Sequence, residues 1–306
     1  MIRSKTRLAA LLPAIGLALY SPAQPISIVN AGFEADVVTP GAFVVLQPQG
    51  WSPYDPAGMI NQNHNAIGVI RPSPGMEYFI NGAPEGVNAA IVYLAGPQAG
   101  EAGLQQTLTA TLQANTRYRL SVGIGNIASG TSLPGSSGGE GVFYDLDGFP
   151  GYRIDLLAGG AVVASDNNSL DGTIPEGEFR TAIVVHDTGP DPAQLGQPLG
   201  VCLVNLKHPG TADEPNIEVD FDDVQLTASP SPTPPLLGIE ISNSFPMIRM
   251  TGTTGAAYRL EFSSVLPATN WVILTNIALP ASPFTVLDTD SLTNHDARYY
   301  RAVSAD

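Results

Sequence analysis

The chain has 306 residues, 43% of them apolar and only 13% charged, against about a quarter charged in an average soluble domain. Glycine (32) and proline (27) make up about a fifth of it. This excludes helical bundles and coiled coils, because glycine is entropically costly in a helix and proline removes a backbone donor. Thirteen basic residues face 28 acidic ones, a net charge of −15; without clustered Lys and Arg, no nucleic-acid partner is expected.

In chain order, the first element is a secretory leader. Arg3, Lys5 and Arg7 precede an apolar run at 8–20, and Ser21-Pro22-Ala23 supplies small residues for cleavage after Ala23. The run is short for a membrane span, and no later stretch reaches about 18 apolar residues. The expectation is therefore a protein secreted to the periplasm or outside the cell, with no membrane span after cleavage. The one cysteine, Cys202, permits neither an intramolecular disulfide nor a cysteine zinc site.

The rest reads as many short strands. A short apolar strand at 26–29 leads into Asn30-Ala31-Gly32-Phe33-Glu34. Period-2 alternation puts Tyr118, Leu120 and Val122 on one face of a strand, and Tyr152, Ile154 and Leu156 on one face of another. Phe179, Thr181, Ile183 and Val185 share a third face, and Val201 and Leu203 part of a fourth. Asn115-Thr116 and Ala158-Gly159-Gly160 suit hairpin turns. In 219–226 the apolar phase slips: Val219 and Phe221 are odd, Val224 and Leu226 even. If both pairs face the core, a β-bulge at Asp222-Asp223 absorbs the extra residue. Ser229-Pro230-Ser231-Pro232-Thr233-Pro234-Pro235 is a proline-rich spacer. It divides a domain at 24–229, through a linker at 230–235, from a smaller one at 236–306.

Residues 47–83 and 126–151 are long loops rich in Gly, Pro and Asn, with aromatic residues interspersed, and such loops commonly carry function. Trp51 reads as core; Tyr54, Tyr93 and Tyr144 are the candidate ligand-binding tyrosines. Glu34, Asp222 and Asp223 are the candidate metal ligands, with calcium as the expected cofactor, since adjacent carboxylates at a bulge repel unless a cation or donors separate them. Asp145-Leu146-Asp147-Gly148 begins like a calcium loop but lacks the later glutamate, so a solvated turn is the better reading. Gly135-Ser136-Ser137-Gly138-Gly139 fits G-x-S-x-G only formally, because no helix follows it. The four histidines show no metal spacing.

Taken in order, 26–34 (ISIVNAGFE), Gly50-Trp51, 84–93 (PEGVNAAIVY), 103–122 (GLQQTLTATLQANTRYRLSV), 152–165 (YRIDLLAGGAVVAS), 195–203 (LGQPLGVCL) and 219–226 (VDFDDVQL) resemble a secreted jelly-roll, galactose-binding-like family. That family includes carbohydrate-binding modules and the Stig cyclases of hapalindole-type alkaloid biosynthesis. The resemblance implies structural calcium near the first and last strands, at positions matched by Glu34 and Asp222. It also implies, for the cyclases, a buried aspartate acting as general acid in or beside a late strand, within a pocket shaped by aromatic residues. The matching stretch here, 199–204, contains no carboxylate. Residues 236–306 resemble small β-domains at the C-termini of bacterial secreted proteins.

The fold expected is therefore all-β: a jelly-roll β-sandwich followed by a small immunoglobulin-like β-sandwich. The function expected is a non-catalytic, calcium-stabilised binding protein for a carbohydrate or a small apolar ligand. Two alternatives stand beside it: a cyclase-like enzyme acting on an apolar substrate by acid catalysis, and a structural surface or matrix protein.

Overall fold

The computed structural model describes residues 23–75, 77–95, 100–207, 217–232, 235–242, 245–268, 270–290 and 297–304. The expected leader, apart from Ala23, lies outside the described residues. Among these residues there are strands and turns but no helix, and so no helix long and apolar enough to cross a membrane. The chain falls into two compact units that divide between Ser231 and Pro232.

The larger unit opens with β1 (Gln24–Ile26), β2 (Phe43–Val45), β3 (Ser52–Tyr54), β4 (Asn65–Ile70) and β5 (Ala89–Leu94). The long β6 (Ala102–Thr111) and β7 (Thr116–Asn126) follow, then the two-residue strands β8 (Gly130–Thr131) and β9 (Phe143–Tyr144). It closes with β10 (Tyr152–Ala158), β11 (Ala161–Asn167), β12 (Glu178–Asp187), β13 (Pro198–Asn205) and β14 (Glu218–Pro230). One sheet runs β12-β7-β14-β5-β4-β2, with β1 also on β14; the other runs β11-β10-β13-β6-β3. Their non-sequential order makes this unit a jelly-roll sandwich, whose two inner faces form one core.

Alternation explains most of that core. Tyr118, Leu120 and Val122 point inward from one sheet, Tyr152, Ile154, Leu156, Val201 and Leu203 from the other, and all are buried. Trp51 is core as well, with its ring 5.4 Å from that of Phe33 and its Nε1 donating to the Asn30 carbonyl at 3.1 Å. On β12 the phase is the reverse of the apolar pattern. Ala182 and Val184 enter the core, Ile183 is exposed, and Phe179 joins a separate cluster on the outer side of the sheet. The small side chain of Ala182 had hidden the inward phase.

The smaller unit has two three-stranded sheets. These are β15 (Leu236–Ser242), β16 (Phe245–Thr251) and β19 (Phe284–Leu287), facing β17 (Ala257–Ser263), β18 (Val272–Ala278) and β20 (Tyr299–Ser304). Ile248, Met250, Tyr258, Leu260 and Leu279 fill the space between them. Asp288 is buried and accepts from Arg298 Nη1 at 2.6 Å and from the Tyr300 hydroxyl at 2.7 Å.

Candidate functional site

The site is built on β14, the strand that lies between β7 and β5 in the larger sheet. Val219 and Phe221 project into the sandwich core. Glu218, Asp220 and Asp222 alternate with them and therefore project from the opposite face. A side chain on an outward face ordinarily meets water. Here Glu218 is 5% exposed and both aspartates 0%. The reason is a third layer. The loops at 77–88 and 127–151 fold back over the sheet, and Tyr78, Phe79, Ile127 and Leu146 pack onto Ile70, Ala89, Ile91 and Ile217.

The ladder register fixes what lies beside each carboxyl. Glu218 is opposite Tyr93 on β5, and Asp220 lies between Ile91 on β5 and Gly125 on β7. Gly125 has to lack a side chain: a Cβ there would sit 2.7 Å from the Phe179 ring and 2.9 Å from Asp220 Cβ. Phe179 thus lies across Gly125 beside Asp220, with its ring 4.3 Å from that of Phe79. Neither Asp220 oxygen has a hydrogen-bond partner. Burial pushes the Glu218 carboxyl up to about 8, and burial followed by the neighbouring Glu218 holds Asp220 well above the usual carboxylate range. Burial therefore favours the protonated form of both.

Over Glu218 the third layer leaves a cavity of about 230 Å³. Its lining is mostly apolar: Phe43, Val45, Ala66, Ile67, Ile70, Ile91, Ile127 and Leu146. Tyr78, Tyr93, Tyr144, Gln62, Asn63, Ser137 and Glu218 are the polar contributions. Burial raises the phenols of Tyr78 and Tyr144, and the nearby Glu218 adds to both shifts. The Tyr144 ring meets Phe43 edge-on at 5.5 Å. Its hydroxyl occupies the place a Gly138 side chain would take, since a Cβ there would be 1.7 Å away. That arrangement gives the 135–139 loop its purpose. Ser137 Oγ accepts from Val45 N at 2.8 Å and Ser137 N donates to the Phe43 carbonyl at 2.9 Å, so this serine pins the loop to β2.

Of the three candidate tyrosines, Tyr93 and Tyr144 line this cavity and Tyr54 does not. Tyr54 ends β3 in the other sheet, where its hydroxyl donates to Glu101 Oε1 at 2.8 Å beside Arg153.

The bulge lies at Asp222-Asp223: the pairing with β7 slips between Asp222 and Gln225, and Asp223 takes φ +49°. Val224 and Leu226 thereby return to the core. At this rim Glu34 Oε1 accepts from Val87 N and Asn88 N, both at 2.7 Å, and Asp222 Oδ2 accepts from Glu85 N at 2.9 Å. Asp222 Oδ1 is buried without a partner, while Asp223 Oδ1 accepts from Gln225 Nε2 at 2.6 Å. Among the described residues no group of three or more Asp, Glu, His or Cys side chains is arranged to hold a metal ion. The Asp145–Gly148 loop serves as an anchor, with Leu146 N donating to Ser129 Oγ at 2.8 Å while Leu146 itself is buried in the third layer.

The carboxyls come from β14 and not from 199–204, which lies within β13 in the five-stranded sheet. Glu218, Asp220 and Tyr78 were not singled out by sequence. The available signal was three acids at every second position, Glu218, Asp220 and Asp222, alternating with Val219 and Phe221, a pattern that reads as a half-solvated strand until the loops above it are placed.

A likeness to solved structures accompanies this geometry. A cyclase from Fischerella sp. in its apo form is 40% identical, with a TM-score of 0.58, over 68% of this chain and 98% of that one. A Stig cyclase from Fischerella sp. TAU, in complex with (3Z)-3-(1-methyl-2-pyrrolidinylidene)-3H-indole, is also 40% identical at a TM-score of 0.58, covering 68% and 99%. A cyclase from Fischerella sp. TAU in complex with 4-(1H-indol-3-yl)butan-2-one is 41% identical with the same TM-score and coverage. No curated protein sequence matches. The family model for the HpiC1 cyclase matches residues 24–227, the whole sandwich that carries the cavity and its buried acids, and the chain belongs to the HpiC1-like cyclase family.

Proposed function

We propose that this protein is an acid catalyst that cyclises a small apolar, indole-bearing substrate in the cavity above Glu218. The observation that carries the proposal is a buried carboxyl, raised by that burial to about 8, in the wall of an apolar, tyrosine-lined pocket. A cyclisation started by proton transfer needs a group that is still an acid at working pH, and a general acid tuned in this way is worth about 10²- to 10⁴-fold in rate. Glu218 is the proton donor. The apolar walls fold the substrate and keep water from the cation that protonation creates. The side chains of Tyr93 and Tyr144 flank the same space. This reading displaces the saccharide expectation, because a sugar needs many hydrogen-bonding partners and these walls are mostly hydrocarbon.

The test has two parts. Calorimetry with 4-(1H-indol-3-yl)butan-2-one should show binding by the wild-type protein. With a substrate of the family, Glu218→Gln should retain binding and lose at least 100-fold in turnover, and wild-type turnover should fall as pH rises past about 8, where the donor ionises. Unchanged turnover in the variant removes Glu218 from the role.

Calcium at the rim is a separate proposal. It rests on Asp222 Oδ1, buried without a donor beside the turn that also holds the Glu34 and Glu85 carboxyls. Bound there, a hard cation would supply the missing partner and tie β14 to the first turn. We also propose that the protein is exported, as residues 1–23 suggest.

A further inference from the structure

The cyclase-family match ends at residue 227, so the smaller unit is left without a role. Its sheet runs β15-β16-β19, which makes β15 an edge strand with one strand neighbour among the described residues. The register with β16 puts Leu237 opposite Met250, Ile239 opposite Ile248 and Ile241 opposite Pro246. Residues directly opposite each other point to the same face, and Ile248 and Met250 are buried in the core. Leu237, Ile239 and Ile241 therefore lie on the core side of the sheet. Leu237 packs against that core, yet Ile239 stays 52% and Ile241 68% exposed. The core ends before the apolar row of the strand does.

Free edges ordinarily carry a device against pairing, such as a charge, a proline, a bulge or shortness. The other edges of this unit have one. β19 has four residues, β18 meets β17 across a register shift, and β20 carries Arg301. β15 has seven residues, no proline and no basic residue, and its register with β16 is unbroken. Its single charge is Glu240.

This edge is complementary to a second copy of itself. Along an antiparallel edge, residues of one parity turn their N–H and C=O groups outward, so a two-fold pairing has to centre on a residue. Centred on Ile239, it pairs all seven residues of each strand. Ile239 meets its own counterpart, Leu237 meets Ile241, Leu236 meets Ser242 and Glu240 meets Gly238. The apolar row of one copy then continues into that of the other, and the two glutamates stay apart. Centring on Glu240 would set the two carboxylates against each other, and like charges directly opposite are destabilising. Centring on Gly238 would set Glu240 opposite Leu236 and leave Ile241 beyond the paired strand.

We propose that β15 is a self-association edge, occupied by β15 of a second copy of this chain, paired antiparallel about Ile239 so that the two three-stranded sheets become one. The contact is two-fold and closed, the same patch serving both copies. A single strand pair is a small interface, so a dissociation constant of about 10 µM is expected.

Sedimentation of the full chain over about 1–200 µM tests this range. The wild type should reach twice the mass of the Ile239→Lys variant at the upper end. Ile239→Glu should behave like Ile239→Lys, and an equal mixture of the two should recover the wild-type mass, because residue 239 faces its counterpart. Ile239 is half-exposed, so both variants should keep the wild-type circular dichroism. Under oxidation Ile239→Cys should cross-link two chains, since opposite residues on paired strands lie within disulfide reach. Ser242→Cys should not, being set opposite residue 236. The native Cys202 is buried and takes no part.

A wild-type mass that does not change across the range overturns the proposal. So does an assembly that Ile239→Lys leaves intact, which places the contact elsewhere. Failure of the mixed Lys and Glu variants to recover the mass, or cross-linking through Ser242→Cys and not through Ile239→Cys, overturns the two-fold register and the proposal with it.

Discussion

Replacing Glu218 by Gln should make the protein more stable while stopping its chemistry, and the gain should grow with pH. The carboxyl has an ordinary value of 4.5 and burial raises it to about 8 in the fold. Below the lower value both folded and unfolded chains carry the proton, so Glu and Gln are equivalent. Between the two values the unfolded chain ionises freely while the folded one retains its proton, and wild-type stability falls as pH rises. Above about 8 the folded protein must hold a buried carboxylate. The full difference corresponds to about 5 kcal/mol, a ceiling that water entering around the ionised group would lower. Half of it, roughly 2–3 kcal/mol, shifts the melting temperature of a unit this size by roughly 5–10 °C. The amide of Gln has no such penalty. Thermal unfolding followed by circular dichroism from pH 4 to pH 9 should therefore show the two proteins together at pH 4 and separating up to about pH 8. Asp220 is raised in part by Glu218, so its shift also relaxes in the variant and the separation of the curves reports the pair. Parallel curves across the range would show that the carboxyl is not held neutral, and the argument for it as the proton donor would fail.

Phe221→Ala, on the core face of the same strand, should cost about 3–5 kcal/mol, measured by urea unfolding, since the ring is fully buried. Gly103→Ala should cost at least as much as ordinary overpacking, about 1–3 kcal/mol, because its Cβ would lie 1.9 Å from the Leu203 carbonyl oxygen and part β6 from β13; soluble expression and a melting curve check it. If calcium binds at the rim, adding it to chelated protein should raise the melting temperature, and Asp222→Ala should abolish the rise.

The bulge at Asp222-Asp223 was legible because apolar residues of opposite parity on one strand leave few other arrangements. The inward faces of β7 and β10 were legible for the same reason, their large side chains marking one phase. On β12 the same rule pointed outward, since Ala182 is too small to signal burial and Ile183 is large enough to mislead. The acids were hidden by a different cause. Glu218 and Asp220 look like solvent-facing residues until two loops, distant in sequence, are laid across them, and loop placement carries no periodicity. The motif set could locate the fold, but it drew attention to 199–204, a neighbouring late strand in the opposite sheet. Tyr78 was visible only as one aromatic residue of the loop at 47–83, because its left-handed backbone and unpartnered hydroxyl exist only in the folded chain.

The third layer over the larger sheet gives the larger unit two separate apolar interiors, one on each side of β14. The inner one is the larger, while the outer one lends the pocket Tyr78, Ile127, Ser137, Gly138, Tyr144 and Leu146 from the loops laid over the sheet. A mutational library confined to those loop residues can therefore search for new ligands while the scaffold and Glu218 stay fixed. Such a library should yield folded variants far more often than one spread over the strands.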